Sequence, residues 1–206
     1  MPSPGQAVQP RFVVLEGLDG AGTTTQAGLL ADALRGRDLR VCLTSEPTDG
    51  PLGRVLRAHI AGELTLDPRT AALTFTADRS DHLARLVRPA LAAGDWVVCD
   101  RYLLSTLAYQ GLDVAREWVL AASRDFDAPD LTVFLDVPDE ALAERIRARG
   151  PADRYEAPAF AARLRASYLD SIELLRDAGH RIEEVDGNAE PQAVLEEVLR
   201  RLDALG

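Results

Sequence analysis

The stretch Phe12–Gln26, FVVLEGLDGAGTTTQ, runs an apolar segment straight into a glycine-rich turn and then into residues that continue as a helix. Gly17, Gly20 and Gly22 therefore fall between a strand and a helix. There, backbone N–H groups can point at an anion, helped by the positive end of the helix. Gly17 to Gly22, followed by Thr23-Thr24, fits the phosphate-loop pattern G-x-x-x-x-G-K-[ST] except at one position, where Thr23 replaces the lysine. Two other readings compete. One is an ordinary tight turn. The other is a dinucleotide fingerprint, because G-x-x-G-x-G lies close to G-x-G-x-x-G and Glu46 follows the second strand about where a ribose-binding acid belongs. The turn alone divides phosphate loop and dinucleotide loop nearly evenly.

Outward from this turn, short apolar runs alternate with helix-length segments. Arg11–Glu16, Arg40–Thr44, Trp96–Asp100, Leu131–Asp136 and Arg181–Val185 read as strands. The first, third and fourth are apolar without clean alternation, as strands covered on both faces are. Helices are expected near 24–36, 53–61, 68–93, 105–125, 138–149, 159–178 and 191–204. Asp67-Pro68 supplies a helix start, and Gly36, Gly94 and Gly179 stand where helices should stop. Alternating β and α predicts an α/β fold, a mostly parallel sheet flanked by helices. Residues 1–10 read as a flexible leader and 11–206 as a single domain. Arg149–Pro158, RGPADRYEAP, breaks helix periodicity and reads as a mobile loop.

Composition narrows the function. The 206 residues carry 23 basic against 33 acidic side chains, net −10, which argues against a broad phosphate-neutralising surface for nucleic acid. Every basic residue other than the three histidines is arginine; the chain has no lysine. Cys42 and Cys99 sit inside apolar runs and read as buried thiols of a reducing compartment. His59, His82 and His180 lack metal-ligand spacing. Neither a signal peptide nor a membrane span is recognisable, so a cytoplasmic protein is expected.

Three downstream constellations could carry chemistry. Phe75, Arg79 and His82 share one helical face, where a ring and a guanidinium could take a planar base. The alternative is a core Phe beside a solvated Arg, with His82 structural. Asp100-Arg101 ends the third strand, where an acid near magnesium and a phosphate-binding arginine would lie; a local ion pair is the other possibility. Arg145, Arg147, Arg149 and Arg154 fall within ten residues, either as a solvated helix face or as an arginine-bearing lid over transferring phosphates.

Six stretches together resemble the thymidylate kinases, in order and over nearly the whole chain: Phe12–Gln26, Glu46–Gly53, Phe75–His82, Asp100–Gly111, Phe134–Pro138 and Arg147–Glu156. The resemblance implies a five-stranded parallel sheet of the P-loop nucleoside monophosphate kinase type with a lid at about 147–157, and a homodimer. It also implies that dTMP is phosphorylated to dTDP with ATP and Mg2+. ATP phosphates would be cradled by Gly17, Leu18, Asp19, Gly20, Ala21, Gly22, Thr23, Thr24 and Thr25, with Thr24 and Asp100 at the metal. Arg149 would stack on adenine, Arg154 would reach the transferred phosphoryl, and the Asp186–Asn188 turn would lie beside the adenine. On the acceptor side, Phe75 would stack on thymine and Arg79 would donate to its carbonyl edge. Arg101 would hold the dTMP phosphate, with Asp19 facing the sugar, Tyr109 disfavouring a 2′-hydroxyl, and Ser105 and Gln110 on the base side. Glu46 and Pro47 would complete that pocket.

Two departures stand out. Ser45 precedes Glu46-Pro47 where many members have Arg, so that contact is missing or comes from Arg57. Thr23 replaces the P-loop lysine; a unit charge ~4 Å from a phosphate at an effective dielectric of ~20 is worth ~4 kcal/mol before desolvation. Other readings of the chain are a kinase for another nucleoside monophosphate and a degenerate, non-catalytic nucleotide-binding protein. The retained arginines favour activity.

Overall fold

In the computed structural model, residues 9, 11–149 and 158–206 are described. All five expected strands form: β1 (Phe12–Gly17), β2 (Val41–Ser45), β3 (Trp96–Asp100), β4 (Leu131–Asp136) and β5 (Ile182–Asp186). They make one sheet in the order β2-β3-β1-β4-β5, with every pairing parallel. β1, β3 and β4 occupy its middle and are almost wholly buried, which is why their sequences are apolar on both faces. β2 at the edge is half exposed. The register pairs Leu15 and Ser45 with Asp100, Gly17 with Leu135, and Asp136 with Asp186. All strand carboxyl ends thus meet along one edge, the usual ligand edge of such sheets.

The helices are α1 (Thr23–Arg35), α2 (Pro51–Ile60), α3 (Pro68–His82), α4 (Arg88–Ala92), α5 (Leu103–Gln110), α6 (Arg116–Ala122), α7 (Asp139–Arg149), α8 (Pro158–Asp177) and α9 (Pro191–Asp203). Their inner faces bury residues such as Leu30, Leu104, Leu107 and Ile172 against Val13, Val98 and Phe134 of the sheet. Asp67 caps α3 as its sequence suggests, accepting from the N–H groups of Arg69 and Thr70; such a cap is worth about 1 kcal/mol.

Two expected helices are interrupted. The segment 68–93 contains a π-helical turn, Leu83–Val87, in which the Arg88 N–H reaches back five residues to the Leu83 carbonyl. Pro89 has no N–H, so the Arg85 carbonyl loses its regular partner and the wider turn absorbs the defect. The segment 105–125 begins two residues early and divides into α5 and α6 around Gly111. A Cβ at Gly111 would lie 2.1 Å from the Leu107 carbonyl oxygen and 2.7 Å from Arg116 Cγ, so this close approach requires glycine. Among the described residues no helix is long and apolar enough to cross a membrane. The expected leader, except Gln9, and residues 150–157 of the expected lid, including Arg154, lie outside the described residues.

Candidate active site

β1 delivers Gly17 to the ligand edge, and α1 starts at Thr23. Between them Gly20 and Gly22 adopt φ of 87° and 94°, left-handed values that an L side chain resists. A Cβ on Gly17 would meet Ala21 Cβ at 2.8 Å, so the turn is packed too tightly there for a larger residue. No side chain caps α1, leaving its first N–H groups open to an anion. Thr23 is buried, and the exposed Thr24 donates from Oγ1 to Asp100 Oδ2 at 2.5 Å. The other oxygen of Asp100, Oδ1, is buried without a hydrogen-bond partner among the described residues.

Beside this turn lies a cavity of about 270 Å3. It is lined by every residue expected on the acceptor side: Asp19, Glu46, Pro47, Phe75, Arg79, Arg101, Ser105, Tyr109 and Gln110. Arg57 lines it as well, but its guanidinium is committed to the 47–49 loop. It donates to the Pro47 carbonyl at 2.7 Å, to the Thr48 carbonyl and to Asp49 Oδ1 at 2.6 Å. Asp78 holds the same loop from α3 through the Thr48 N–H and hydroxyl.

Arg79 is 1% exposed, so the solvated-arginine reading fails. Its Nη2 donates to Glu46 Oε2 at 2.7 Å and to Thr106 Oγ1 at 2.8 Å, and its guanidinium lies 4.6 Å over the Tyr102 ring. Nε and Nη1 are buried and have no partner among the described residues. Glu46 is turned into this cluster, where it also accepts from His82 Nδ1 at 2.9 Å. It does not face the glycine-rich turn as a ribose-binding acid would, which removes the dinucleotide reading. His82 is buried, with Nε2 2.8 Å from Thr44 Oγ1.

Arg101 stands at a backbone φ of 69°, unusual for a side-chain-bearing residue. Its N–H donates to the Leu15 carbonyl, which fixes the chain as it leaves β3. Nη2 pairs with Asp19 Oδ1 at 2.7 Å, and Nη1 donates to Ser105 Oγ at 3.2 Å and to Tyr168 Oη at 3.1 Å. Tyr109 donates its hydroxyl to Asp19 Oδ2 at 2.8 Å. Of the two readings of Arg101 the local ion pair forms, with Asp19, and the paired guanidinium also lines the cavity.

Two supporting residues escape a reading of the sequence. Glu16, fully buried, accepts from the N–H groups of Tyr102 (2.8 Å) and Ser105 (3.1 Å) and from Ser105 Oγ (2.5 Å). It caps α5 from the neighbouring strand, since Tyr102 offers no cap of its own. Burial pushes the Glu16 carboxyl above its usual pKa, against the opposing pull of Ser105 and Arg101. Tyr168 of α8 is also fully buried and donates its hydroxyl to the Gly17 carbonyl at 3.1 Å. A carboxylate closing an apolar run was a visible signal for Glu16. A tyrosine mid-helix gave none.

On the donor side Arg145 approaches the Gly20 and Gly187 carbonyls and Asn188 Oδ1, each at 3.3 Å, so it joins the glycine-rich turn to the Asp186–Asn188 turn. Arg149 ends α7, and its side chain lies outside the described residues.

A family model described as thymidylate kinase matches residues 15–198. The thymidylate kinase of Thiobacillus denitrificans is 41% identical over 204 residues, covering 95% of this chain and 97% of the relative. That of Bordetella petrii is 44% identical over 77% of this chain and 80% of its own, and that of Ruegeria pomeroyi 39% over 91% and 92%. The family match runs from the glycine-rich turn through the residues of the cavity to the Asp186–Asn188 turn, and the chain belongs to the thymidylate kinase family.

Proposed function

We propose that this chain transfers the terminal phosphoryl group of ATP to the phosphate of dTMP, giving dTDP and ADP on the way to dTTP. The observation that carries the reading is Arg79, a buried guanidinium with two donor nitrogens unpartnered among the described residues, in a residue that lines the cavity together with Phe75 and Arg101. Unpaired buried donors are costly, and a base carbonyl would satisfy them. Phe75 would stack on the ring. Arg101 would share its charge between Asp19 and the acceptor phosphate. An oxygen of that phosphate attacks the terminal phosphorus of ATP as the bond to the leaving ADP oxygen breaks. The acceptor is already anionic, so no strong general base is needed, and catalysis rests on alignment and charge neutralisation.

The glycine-rich turn and the open start of α1 supply N–H groups to the ATP phosphates. Arg145, which joins the glycine-rich turn to the Asp186–Asn188 turn, would lie beside the donor nucleotide, and Arg149 would stack on its adenine. Thr24 Oγ1 and the unpartnered Asp100 Oδ1 are hard oxygen donors that fit Mg2+ and would hold it directly or through its waters. The ion supplies positive charge to the phosphates when bound. Residues 11–206 are taken as one kinase domain. We also propose a homodimer, for which Leu52, Val55, Leu73 and Trp118 supply exposed apolar surface on α2, α3 and α6, and a cytoplasmic location suited to two free thiols.

The test is ADP release from ATP and Mg2+ across dTMP, dUMP, dCMP, dAMP and dGMP. The highest kcat/KM is expected for dTMP. Preference for another acceptor would refute the substrate, and folded protein that releases no ADP with any of them would favour a non-catalytic nucleotide-binding protein.

A further inference from the structure

Arginine and a carboxylate usually meet through two parallel hydrogen bonds. Glu46 and Arg79 do not. Glu46 gives Arg79 one oxygen, Oε2, at 2.7 Å. Its other oxygen, Oε1, is held by His82 Nδ1 at 2.9 Å, and the far side of the imidazole is held by Thr44 Oγ1 at 2.8 Å. Nη2 of Arg79 has two hydrogens, and both are used, one on Glu46 and one on Thr106. Nη1 and Nε are buried and unpartnered among the described residues, and Arg79 lines the cavity. Glu46, Arg79 and His82 are each at least nine-tenths buried, so water does not compete freely for these groups.

We propose that His82 is the positioning residue that keeps Arg79 open for the base. By occupying Oε1 it stops the Glu46 carboxylate from turning onto Arg79 as a two-point partner. The donors at Nη1 and Nε are thereby reserved for an acceptor on the substrate. A pyrimidine with a carbonyl at ring position 4 supplies that acceptor, as thymine and uracil do. Cytosine presents an amino group there and would leave donor facing donor. His82 thus sets the rejection of 4-amino pyrimidines without touching the nucleotide. Thr44 acts one step further back by fixing the plane of the ring.

This inference rests on the reading of Arg79 as the base contact, and the experiment separates the two. kcat/KM is measured for dTMP, dUMP and dCMP in wild type, His82→Leu, His82→Asn and Arg79→Lys, with a thermal melt of each. In His82→Leu the dCMP/dTMP ratio should rise by about 10-fold or more, the scale set by one unpaired buried donor. The dUMP/dTMP ratio should not change, because uracil keeps the carbonyl. His82→Asn returns an N–H donor near Nδ1 and should hold the dCMP/dTMP ratio within about 3-fold of wild type. A residue that merely supports the fold would lower all three substrates together and leave both ratios alone. That outcome in His82→Leu, with Arg79→Lys raising the dCMP/dTMP ratio, overturns the role of His82 and leaves Arg79 in place. An unchanged ratio in Arg79→Lys overturns the base contact itself. Should His82→Leu fail to fold, Thr44→Val carries the test: it removes only the hydroxyl behind the ring and should shift the dCMP/dTMP ratio in the same direction. No shift there overturns the proposal.

Discussion

Glu16→Gln sets two opposing effects against each other at one buried atom pair. In wild type, three hydrogen bonds end on the Glu16 carboxylate: two from the Tyr102 and Ser105 N–H groups and one from the Ser105 hydroxyl. Glutamine can keep its carbonyl toward the two N–H groups. Its amide then faces Ser105 Oγ, which can turn to donate to Tyr168 Oη 2.9 Å away. No group is orphaned, but each bond now ends on a neutral acceptor. A hydrogen bond to a charged group is worth about 1 kcal/mol more than a neutral one, so the direct loss is about 3 kcal/mol. Release of the desolvation cost of a buried charge, the larger effect because the folded pKa is raised, offsets that loss, leaving the variant within about 1 kcal/mol of wild type near pH 8.

The pH dependence gives the sharper test. Burial raises the folded-state pKa of Glu16 above its unfolded value. The folded protein therefore holds this proton longer than the unfolded chain does. Stability from the protonated group is fully present below the unfolded pKa and is lost as pH rises through the folded pKa. Glutamine cannot titrate, so wild type should gain stability relative to the variant as the pH is lowered from 8 toward 5. Urea denaturation of both proteins at several pH values measures that difference with all other titrating groups in common. A wild type that loses stability relative to the variant on acidification would mean that Ser105 and Arg101 outweigh burial and hold the carboxyl down, and the reasoning would fail.

Three further outcomes are expected. Tyr109→Phe should retain preference for dTMP over its ribonucleotide because the ring still fills the space, whereas Tyr109→Ala should relax it; equal preference in all three proteins removes the role. Thr24→Ala should raise the Mg2+ concentration for half-maximal rate by about 10-fold or more, and an unchanged Mg2+ titration would take Thr24 out of the metal site. Thr23→Lys should change kcat by less than about 10-fold, because Thr23 is already packed into the turn and Arg145 already brings a positive charge to the Gly20 carbonyl of that turn; a gain of about 100-fold, the worth of one transition-state donor, would mark the natural protein as a crippled kinase.

Most of the architecture was legible because parallel strands buried on both faces leave long apolar signatures, and Phe12–Gly17, Trp96–Asp100 and Leu131–Asp136 each carry one. The breaks near Leu83 and Gly111 were hidden. A π turn is a local response to Pro89, and the α5–α6 corner depends on Arg116 crossing Gly111, a contact that helical periodicity does not encode. In the site, Arg79 and Arg101 stood out as arginines at defined spacing beside the ligand edge. Their state did not. Whether a guanidinium is solvated, paired or left half-empty depends on what other segments bring to it, here Glu46 and Thr106 for one and Asp19 and Tyr168 for the other. Glu16 and Tyr168 act only through such long-range contacts; Glu16 had one local signal, a carboxylate closing an apolar run, and Tyr168 had none.

Glu16 and Tyr168 also fasten separate parts of the molecule to a single strand. One ties the start of α5 to β1, and the other ties α8 to the Gly17 carbonyl where β1 becomes the phosphate turn. The glycine-rich turn and the start of α5 that lines the cavity are consequently tied to one strand. Sliding α5 past β1 would strip hydrogen bonds from a carboxylate that has no water to replace them. With the two phosphates placed as proposed, their mutual aim would be built in before either nucleotide arrives, and the orientational entropy of the reaction would be settled during folding and not again at each turnover.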